Sequence, residues 1–276
     1  MSASSKPRDP AGGSHAAHEV LEDSTGGLDP RGTGGGVAVA PGDTDHHDAY
    51  PGPRTTPPLT DRARLEARQI ITRYPRARSA LLPMLHLVQS EQGYITPAGI
   101  AFCAEELDLT KAQVAAVATF YTMFKRRPTG EYLVSVCTNT LCGFLGGEEI
   151  YHALADHLGV GHDQTTADGQ ITLEHAECLA ACDYAPVVTV NYEFYDQQDT
   201  ATAMNLVTDL QQGRRPVPTR GAPLVSFREI SRELAGFGEP DAIAAAVAGP
   251  SAGEPTVVGN RVALRLGHES PAFDPD

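Results

Sequence analysis

The spacing of apolar side chains in residues 60–126 follows the period of an α-helix. Thr60 lies where a helix N-cap is expected, Pro75 ends the first apolar run and Gly93 ends the second. Pro97 occupies the first position of the next run, where proline is favoured. The pattern therefore predicts a small bundle of helices, at residues 62–74, 80–92, 97–107 and from 111 to 118 or slightly beyond.

The period changes from helical to extended after residue 128. Residues 131–136 are β-branched and aromatic at alternating positions, which predicts a strand with Cys137 at its end. A loop at 138–147 leads into an amphipathic helix at 148–158. The remaining elements are strands at 171–177 and 186–195, with a hairpin at 192–195, and a closing helix at 199–210. The predicted fold class is α/β (α+β), a helix-covered sheet with its cysteines on adjoining loops.

Composition separates these regions from the two ends of the chain. Residues 1–58 contain 10 Gly and 8 Pro with Tyr50 as their only aromatic residue, which predicts a disordered arm. From Gly213 onward the pattern recurs more mildly, with one short alanine-rich helix at 241–248. The predicted organisation is a disordered arm at 1–58, a helical bundle at 59–127, a sheet domain at 128–212 and a Pro/Gly-rich, disordered extension at 213–276.

The N-terminal segment and the lengths of the apolar runs indicate where in the cell the chain is expected. No segment near the N-terminus combines a basic leader, an apolar core and a cleavage site, so we expect reduced thiols in the cytoplasm. No window approaches the roughly 20 apolar residues of a membrane span. Any membrane association is therefore expected to come through partner subunits.

The net charge of −14 is concentrated in one stretch. Between Pro128 and Gly213 there are 13 Asp and Glu residues and no Lys or Arg. Such an acidic surface disfavours binding to nucleic acid, because phosphates are also negative.

Four of the five cysteines form two close pairs. Cys137 and Cys142 are separated by four residues, and Cys178 and Cys182 by three. A thiolate needs a positive partner to stay deprotonated near neutral pH, and a metal centre would supply one. A [2Fe-2S] cluster takes two thiolates on each iron, and structural zinc accepts four cysteines at this spacing. The spacing leaves both open, while a redox dithiol with two intervening residues or unrelated buried thiols fit less well.

The sequence around the second pair, CLAACDYAP at residues 178–186, carries a family resemblance. It is similar to the signature of the small iron–sulfur (E-type) subunit of NADH-quinone oxidoreductase, respiratory complex I. Further matching segments are LPML at 82–85, GYI at 93–95, ATFYTMF at 118–124, VCTN at 136–139 and TLE at 172–174. The resemblance covers about residues 60–212 and favours iron over zinc.

The resemblance implies a thioredoxin-like ferredoxin domain behind the helical region. Its implied cofactor is a [2Fe-2S] cluster held by Cys137, Cys142, Cys178 and Cys182. The implied partner is the larger flavin- and NADH-binding (F-type) subunit, within the peripheral arm on the cytoplasmic side of the cell membrane. Ala180 departs from the family, which usually has glycine there, and would strain the cluster loop if its φ were positive.

The predicted function is electron transfer from NADH, through FMN on a partner subunit, to quinone. The chain supplies no acid, base or nucleophile, so the reaction belongs to the assembly. The corresponding subunit of an NAD-linked hydrogenase or formate dehydrogenase is an alternative, and a zinc-stabilised interaction module is a remoter one. The acidic stretch further predicts a low reduction potential and salt-sensitive docking on a basic surface of the flavin-binding partner.

Three other features have simpler explanations than a functional site. The glycines of segment 143–147 lack a nucleotide-binding fingerprint, and the neighbouring cysteines account for them better. His175 is expected to be a hydrogen-bonded histidine rather than a ligand, and Cys103 a small buried hydrophobe. The aromatic residues of segment 118–124 are predicted to be core, with a partner contact as the alternative.

Overall fold

The computed structural model describes residues 58–251 and 253–268. The predicted arm at 1–58 therefore lies outside the described residues except for Pro58. The helices are α1 (Asp61–Thr72), α2 (Leu81–Gln92), α3 (Pro97–Leu107), α4 (Lys111–Phe120), α5 (Thr140–Phe144), α6 (Gly147–Leu158), α7 (Thr200–Gln211), α8 (Phe227–Arg232), α9 (Pro240–Ala248) and α10 (Glu254–Arg265). The strands are β1 (Tyr132–Cys137), β2 (Gln164–Thr165), β3 (Ile171–Ala176), β4 (Val188–Val190) and β5 (Glu193–Tyr195).

Helices α1 to α4 form the predicted bundle, and their ends follow the expected signals. The Thr60 side chain accepts a hydrogen bond from the Ala63 N–H at 3.1 Å, and Gly93 ends α2 with φ of 82°. Thr110 and Gln113 form a reciprocal capping box at the start of α4. The shared core contains Ile70, Met84, Leu85, Val88, Phe102, Cys103, Leu107 and Val114.

The five strands form one mixed sheet in the order β2-β3-β1-β4-β5. The central pair β1 and β3 is parallel, with Tyr132 opposite Ile171 and Cys137 opposite Ala176. The strands β4 and β5 form the predicted hairpin, antiparallel to each other and to β1. Helices α6 and α7 pack against each other, and apolar residues of both join the core of the sheet. The two-residue strand β2 and the short helix α5 were not predicted.

The expectation of a disordered C-terminal extension with a single helix was wrong for the described part of that segment. Helix α8 and the wide helical turn Glu233–Phe237 that follows it pack against α2 of the bundle. Phe227 is 1% exposed, and Gln89 Nε2 donates to Ser231 Oγ at 3.3 Å. These tertiary contacts stabilise a helix that is too short to form alone.

Lys125 connects the bundle to the sheet. Its backbone N–H donates to Gln89 Oε1 at 2.8 Å, and its carbonyl accepts from the Ile95 N–H at 2.7 Å. The buried ammonium group pairs with Glu174 on β3 and with Asp163 at 3.5 Å. The side chain is 9% exposed, so the charge depends on these carboxylates to remain there.

Candidate functional site

The first cysteine pair lies at the end of the central strand. Cys137 is the last residue of β1, and its N–H donates to the carbonyl oxygen of Val187 at 3.1 Å. The chain then turns into α5, which carries Cys142 back towards Cys137. A Cβ on Gly147 would lie 2.4 Å from the carbonyl oxygen of Cys137, so the turn requires glycine there. Cys137 and Cys142 are each 2% exposed.

The second pair lies on the exposed loop that follows β3. The Sγ atoms of Cys178 and Cys182 are 3.6 Å apart, and the Ala180 N–H donates to Cys178 Sγ at 3.4 Å. Both cysteines are exposed, in contrast to the first pair. Ala180 has a φ of 57°, so the position does need the left-handed conformation that glycine adopts without strain.

The two pairs meet at one site. Ala181, which lies within the exposed pair's loop, packs with Cys137 and Cys142. The charge of Cys182 adds to the raised pKa of Cys142, and the charge of Cys137 adds to the raised pKa of Cys182. Burial raises the pKa of Cys142 to about 12, and a hydrogen bond with Cys137 adds to this effect. The pKa of Cys182 is also raised, chiefly by its hydrogen bond with Cys178. Bringing these sulfurs together as thiolates therefore requires a positive centre, and metal binding would displace their protons.

The donor set fits a [2Fe-2S] cluster. Two thiolates on one tetrahedral metal ion, with bonds of about 2.3 Å, lie about 3.8 Å apart. The 3.6 Å separation of Cys178 and Cys182 agrees with that distance. Backbone N–H groups of Ala180 and Val187 lie within reach of sulfur, as is usual around iron–sulfur clusters. Within residues 58–251 and 253–268, no group of three or more His, Cys, Asp or Glu side chains is arranged to hold a single metal ion.

In the folded chain, part of the negative charge of the stretch between Pro128 and Gly213 is neutralised by ion pairs. Cations from outside the stretch pair with several of its carboxylates. These pairs are Lys125 with Asp163 and Glu174, Arg214 with Asp209, Arg215 with Glu131, and Arg220 with Asp196. Cations from other segments of the chain therefore compensate part of the negative charge of this stretch.

The structure also locates the other residues that the sequence singled out. His175 bonds to Thr138 Oγ1 at 2.6 Å and lies 3.7 Å from Glu148, which confirms a hydrogen-bonded histidine. Cys103 is fully buried in the bundle, and burial raises the pKa of its thiol to about 12. Its role as a small buried hydrophobe is thus also confirmed.

The aromatic segment divides between core and surface. Phe124 is buried, as predicted, and lies 4.8 Å from the ring of His86. Phe120 is 77% exposed and Tyr121 is 45% exposed, so the prediction of core positions was wrong for these two rings. The two rings contact each other edge to face at the C-terminal end of α4. This is the last helix of the bundle before the chain enters the sheet.

A cysteine at the end of a central strand, a second cysteine pair on a neighbouring loop and covering helices are features of thioredoxin-like iron–sulfur proteins. The family model described as "Thioredoxin-like [2Fe-2S] ferredoxin" matches residues 67–211. The chain belongs to this family and, within it, to the E-type subunits of NADH-quinone oxidoreductase. Its cofactor is a [2Fe-2S] cluster.

Individual relatives support this assignment over most of the chain. The E-type subunit of NADH-quinone oxidoreductase of Mycobacterium tuberculosis (strain ATCC 25618 / H37Rv) is 55% identical over 222 residues, which cover 79% of this chain and 86% of the relative. The same protein of Rickettsia prowazekii (strain Madrid E) is 38% identical over 144 residues, covering 51% of this chain and 81% of the relative. These relatives are components of a multi-subunit oxidoreductase.

A solved structure of NAD+-reducing [NiFe]-hydrogenase in the air-oxidized state is also similar. It has a TM-score of 0.44 and 22% identity, with 48% of this chain and 23% of that chain covered.

Among the described residues, no helix has both the length and the apolar character needed to cross a membrane.

Proposed function

We propose that this chain is the [2Fe-2S] electron-transfer subunit of an NADH-quinone oxidoreductase, with Cys137, Cys142, Cys178 and Cys182 as the cluster ligands. The supporting observation is the coincidence of two findings. The chain is 55% identical to a curated E-type subunit across most of both chains. The two cysteine pairs lie next to each other at the end of the central strand β1.

The protein's own residues hold and orient the cofactor, which supplies a one-electron carrier when bound. The end of β1 and helix α5 present the buried pair, while the loop after β3 presents the exposed pair. The buried pair limits access of water to one side of the site. The exposed pair faces the surface, where an electron donor or acceptor must approach.

The partner in this proposal is the larger flavin- and NADH-binding subunit. The helix that carries Cys142 and its C-cap residue present three exposed apolar side chains beside the site: Leu141, Phe144 and Leu145, of which Phe144 is 86% exposed. Exposed aromatic residues next to a functional site are typical of protein interfaces. Through this contact the chain would join the peripheral arm on the cytoplasmic side of the membrane.

The ligand assignment is tested by replacing cysteines one at a time in the full-length chain. Wild-type protein should contain two iron and two sulfide per chain, be red-brown and give an electron paramagnetic resonance signal after reduction. Ala substitution at Cys137, Cys142, Cys178 or Cys182 should abolish or alter that signal. Cys103→Ala is the matched control and should keep it, because that thiol is buried in the bundle. Wild-type protein without iron, or full loading in all five variants, would overturn the proposal.

The partner assignment is tested by co-expressing the chain with the flavin- and NADH-binding subunit. Phe144→Ala should weaken co-purification, whereas Leu65→Ala, which removes an exposed apolar side chain from α1, should not. Rising salt should also weaken the association if acidic groups contribute to it. Equal retention of both variants would remove Phe144 from the interface while leaving the cluster assignment intact.

A further inference from the structure

Arg220 lies beyond the matched range 67–211 and reaches back to the cysteine site. Its guanidinium carbon is 5.0 Å from the ring centroid of Tyr184 and 4.5 Å from that of Phe194. Tyr184 belongs to the same short helical turn as Cys182. Phe194 packs against the buried group formed by Cys137, Cys142, Ala181 and Val187. The cation is thus separated from the cysteines by single aromatic side chains.

The backbone and side chain of this segment are both fixed. The Thr219 N–H donates to the carbonyl oxygen of Phe194 at 2.8 Å, which attaches the segment to β5. Arg220 pairs with Asp196 at 2.9 Å, and the two side chains are only 15% and 8% exposed. The buried Nε of Arg220 has no hydrogen-bond partner among the described residues. Asp196 therefore does not satisfy the whole guanidinium group.

A fixed cation at this place favours the reduced form of the site. Reduction adds one electron to the four-cysteine site and breaks no bond, so the site gains one negative charge. The electron comes from NADH through the partner's flavin in the assembly, or from a chemical reductant in a titration. A nearby positive charge that water screens poorly stabilises the added negative charge.

We propose that Arg220 raises the reduction potential of the cluster by its charge and that its stacking on Tyr184 and Phe194 positions the Cys182 turn. This rests on the proposed ligand set and not on the identity of the partner. It also means that a residue outside the matched family range adjusts the chemistry of the site.

The test is an equilibrium redox titration of the full-length, cluster-loaded chain, followed by visible absorption and electron paramagnetic resonance. Arg220→Gln removes the cation and leaves Asp196 unpaired, so the midpoint should fall. Asp196→Asn leaves the cation unpaired, so the midpoint should rise. A unit charge at about 10 Å, acting through an effective dielectric constant of about 20, changes a one-electron equilibrium by on the order of tenfold, or about 59 mV.

Three further variants separate charge from general damage. The double variant Arg220→Gln with Asp196→Asn should return towards the wild-type midpoint, and Arg220→Lys should stay near it. Arg214→Gln is the control, because Arg214 also pairs with an aspartate, Asp209 at the end of α7, but in a more exposed ion pair. Its midpoint should not change.

The sign of each shift decides the outcome. Shifts of the same direction in Arg220→Gln and Asp196→Asn, or no shift in either, would overturn the inference. If Arg220→Gln retains no iron, Asp196→Asn carries the test, and an unchanged or lower midpoint in that variant would overturn it. Wild-type protein that lacks iron would instead defeat the proposed ligand set.

Discussion

Arg232 and Glu66 join two segments that are 166 residues apart in the chain. Arg232 Nη1 donates to Glu66 Oε2 at 3.0 Å, and Nη2 bonds to the other carboxylate oxygen. This two-point contact attaches α8 to α1, in addition to the packing of α8 against α2. Planar, paired hydrogen bonds of this kind are the stronger class of ion pair.

Arg232→Gln should destabilise the protein, because the Glu66 side chain is 10% exposed and would lose its main partner. We expect a loss of about 1–3 kcal/mol in the free energy of unfolding, measured by urea denaturation at equal cluster loading. Arg261→Gln is the control: that residue pairs with Glu254 on α10, and both side chains are more than half exposed. It should change stability by less than about 1 kcal/mol. Equal effects in the two variants would contradict the prediction.

The same pair should make stability depend on pH. Burial raises the pKa of Glu66, but the hydrogen bonds and charges of Arg232 and Arg62 outweigh it, so the pKa is lowered from its usual 4.5. The contribution is therefore fully present above about pH 4.5 and is lost as the pH falls through the lower folded-state value. Thermal unfolding should show an advantage of wild type over Glu66→Gln at pH 6 that shrinks on acidification.

Glu193 provides an internal contrast for that experiment. Burial raises its pKa, while the Ala222 N–H opposes the shift. A raised carboxyl pKa means that stability is lost as the pH rises from about 4.5 through the folded-state value. Wild type should therefore lose stability relative to Glu193→Gln as the pH rises above about 4.5, whereas the Glu66 contribution changes below about pH 4.5. The same pH trend in both comparisons would exclude this account.

Phe227→Ala should be strongly destabilising. The ring is 1% exposed and lies 6.4 Å from the ring of Tyr192, so its removal leaves a cavity between bundle and sheet. Substitutions of this kind cost about 3–5 kcal/mol. Phe144→Ala removes a ring that is 86% exposed and should change the free energy of unfolding by no more than about 0.5 kcal/mol. Similar denaturation midpoints for the two variants would show that α8 is not part of the folded core.

Ala180→Gly should stabilise the cluster loop. Ala180 has a φ of 57°, where an L residue with a Cβ is disfavoured by on the order of 1 kcal/mol relative to glycine. We expect a gain of up to that size and slower iron loss to a chelator. Ala181→Gly is the control, because Ala181 has a φ of −119° and is buried, so glycine should be neutral or destabilising there. Faster iron loss from Ala180→Gly would contradict the prediction.

The elements that the sequence predicted are those with local signals. The cap at Thr60, the stop at Gly93 and the apolar periods predicted the bundle and the main strands. The strand β2 has two residues and exists only through its pairing with β3, and α8 has only six residues and depends on α2. Neither leaves a periodic pattern that is long enough to recognise.

The candidate site shows the same division between local and distant information. The cysteine spacing and the neighbouring motif singled out the proposed ligands, which lie at the end of β1, on α5 and on the loop after β3, and the departure at Ala180 identified the strained position. The charge environment was not predictable, because Arg220 and Lys125 lie outside the acidic stretch and reach it only through the fold. The exposure of Phe120 and Tyr121 was mispredicted for a related reason. Apolar periodicity shows which face of a helix is apolar, but it does not show whether another part of the chain covers that face.

The route of the chain after α7 affects how the protein can be shortened. This segment first lies along β5 at Thr219 and then continues into α8, which packs against α2 of the bundle. A recombinant fragment cut at residues 67–211 would keep every proposed ligand. This fragment would nevertheless expose the apolar surface of α2 that α8 and the following turn cover, and it would lack Arg220. We therefore expect poor solubility and an altered absorption spectrum. The smallest well-behaved piece should extend at least through Phe237.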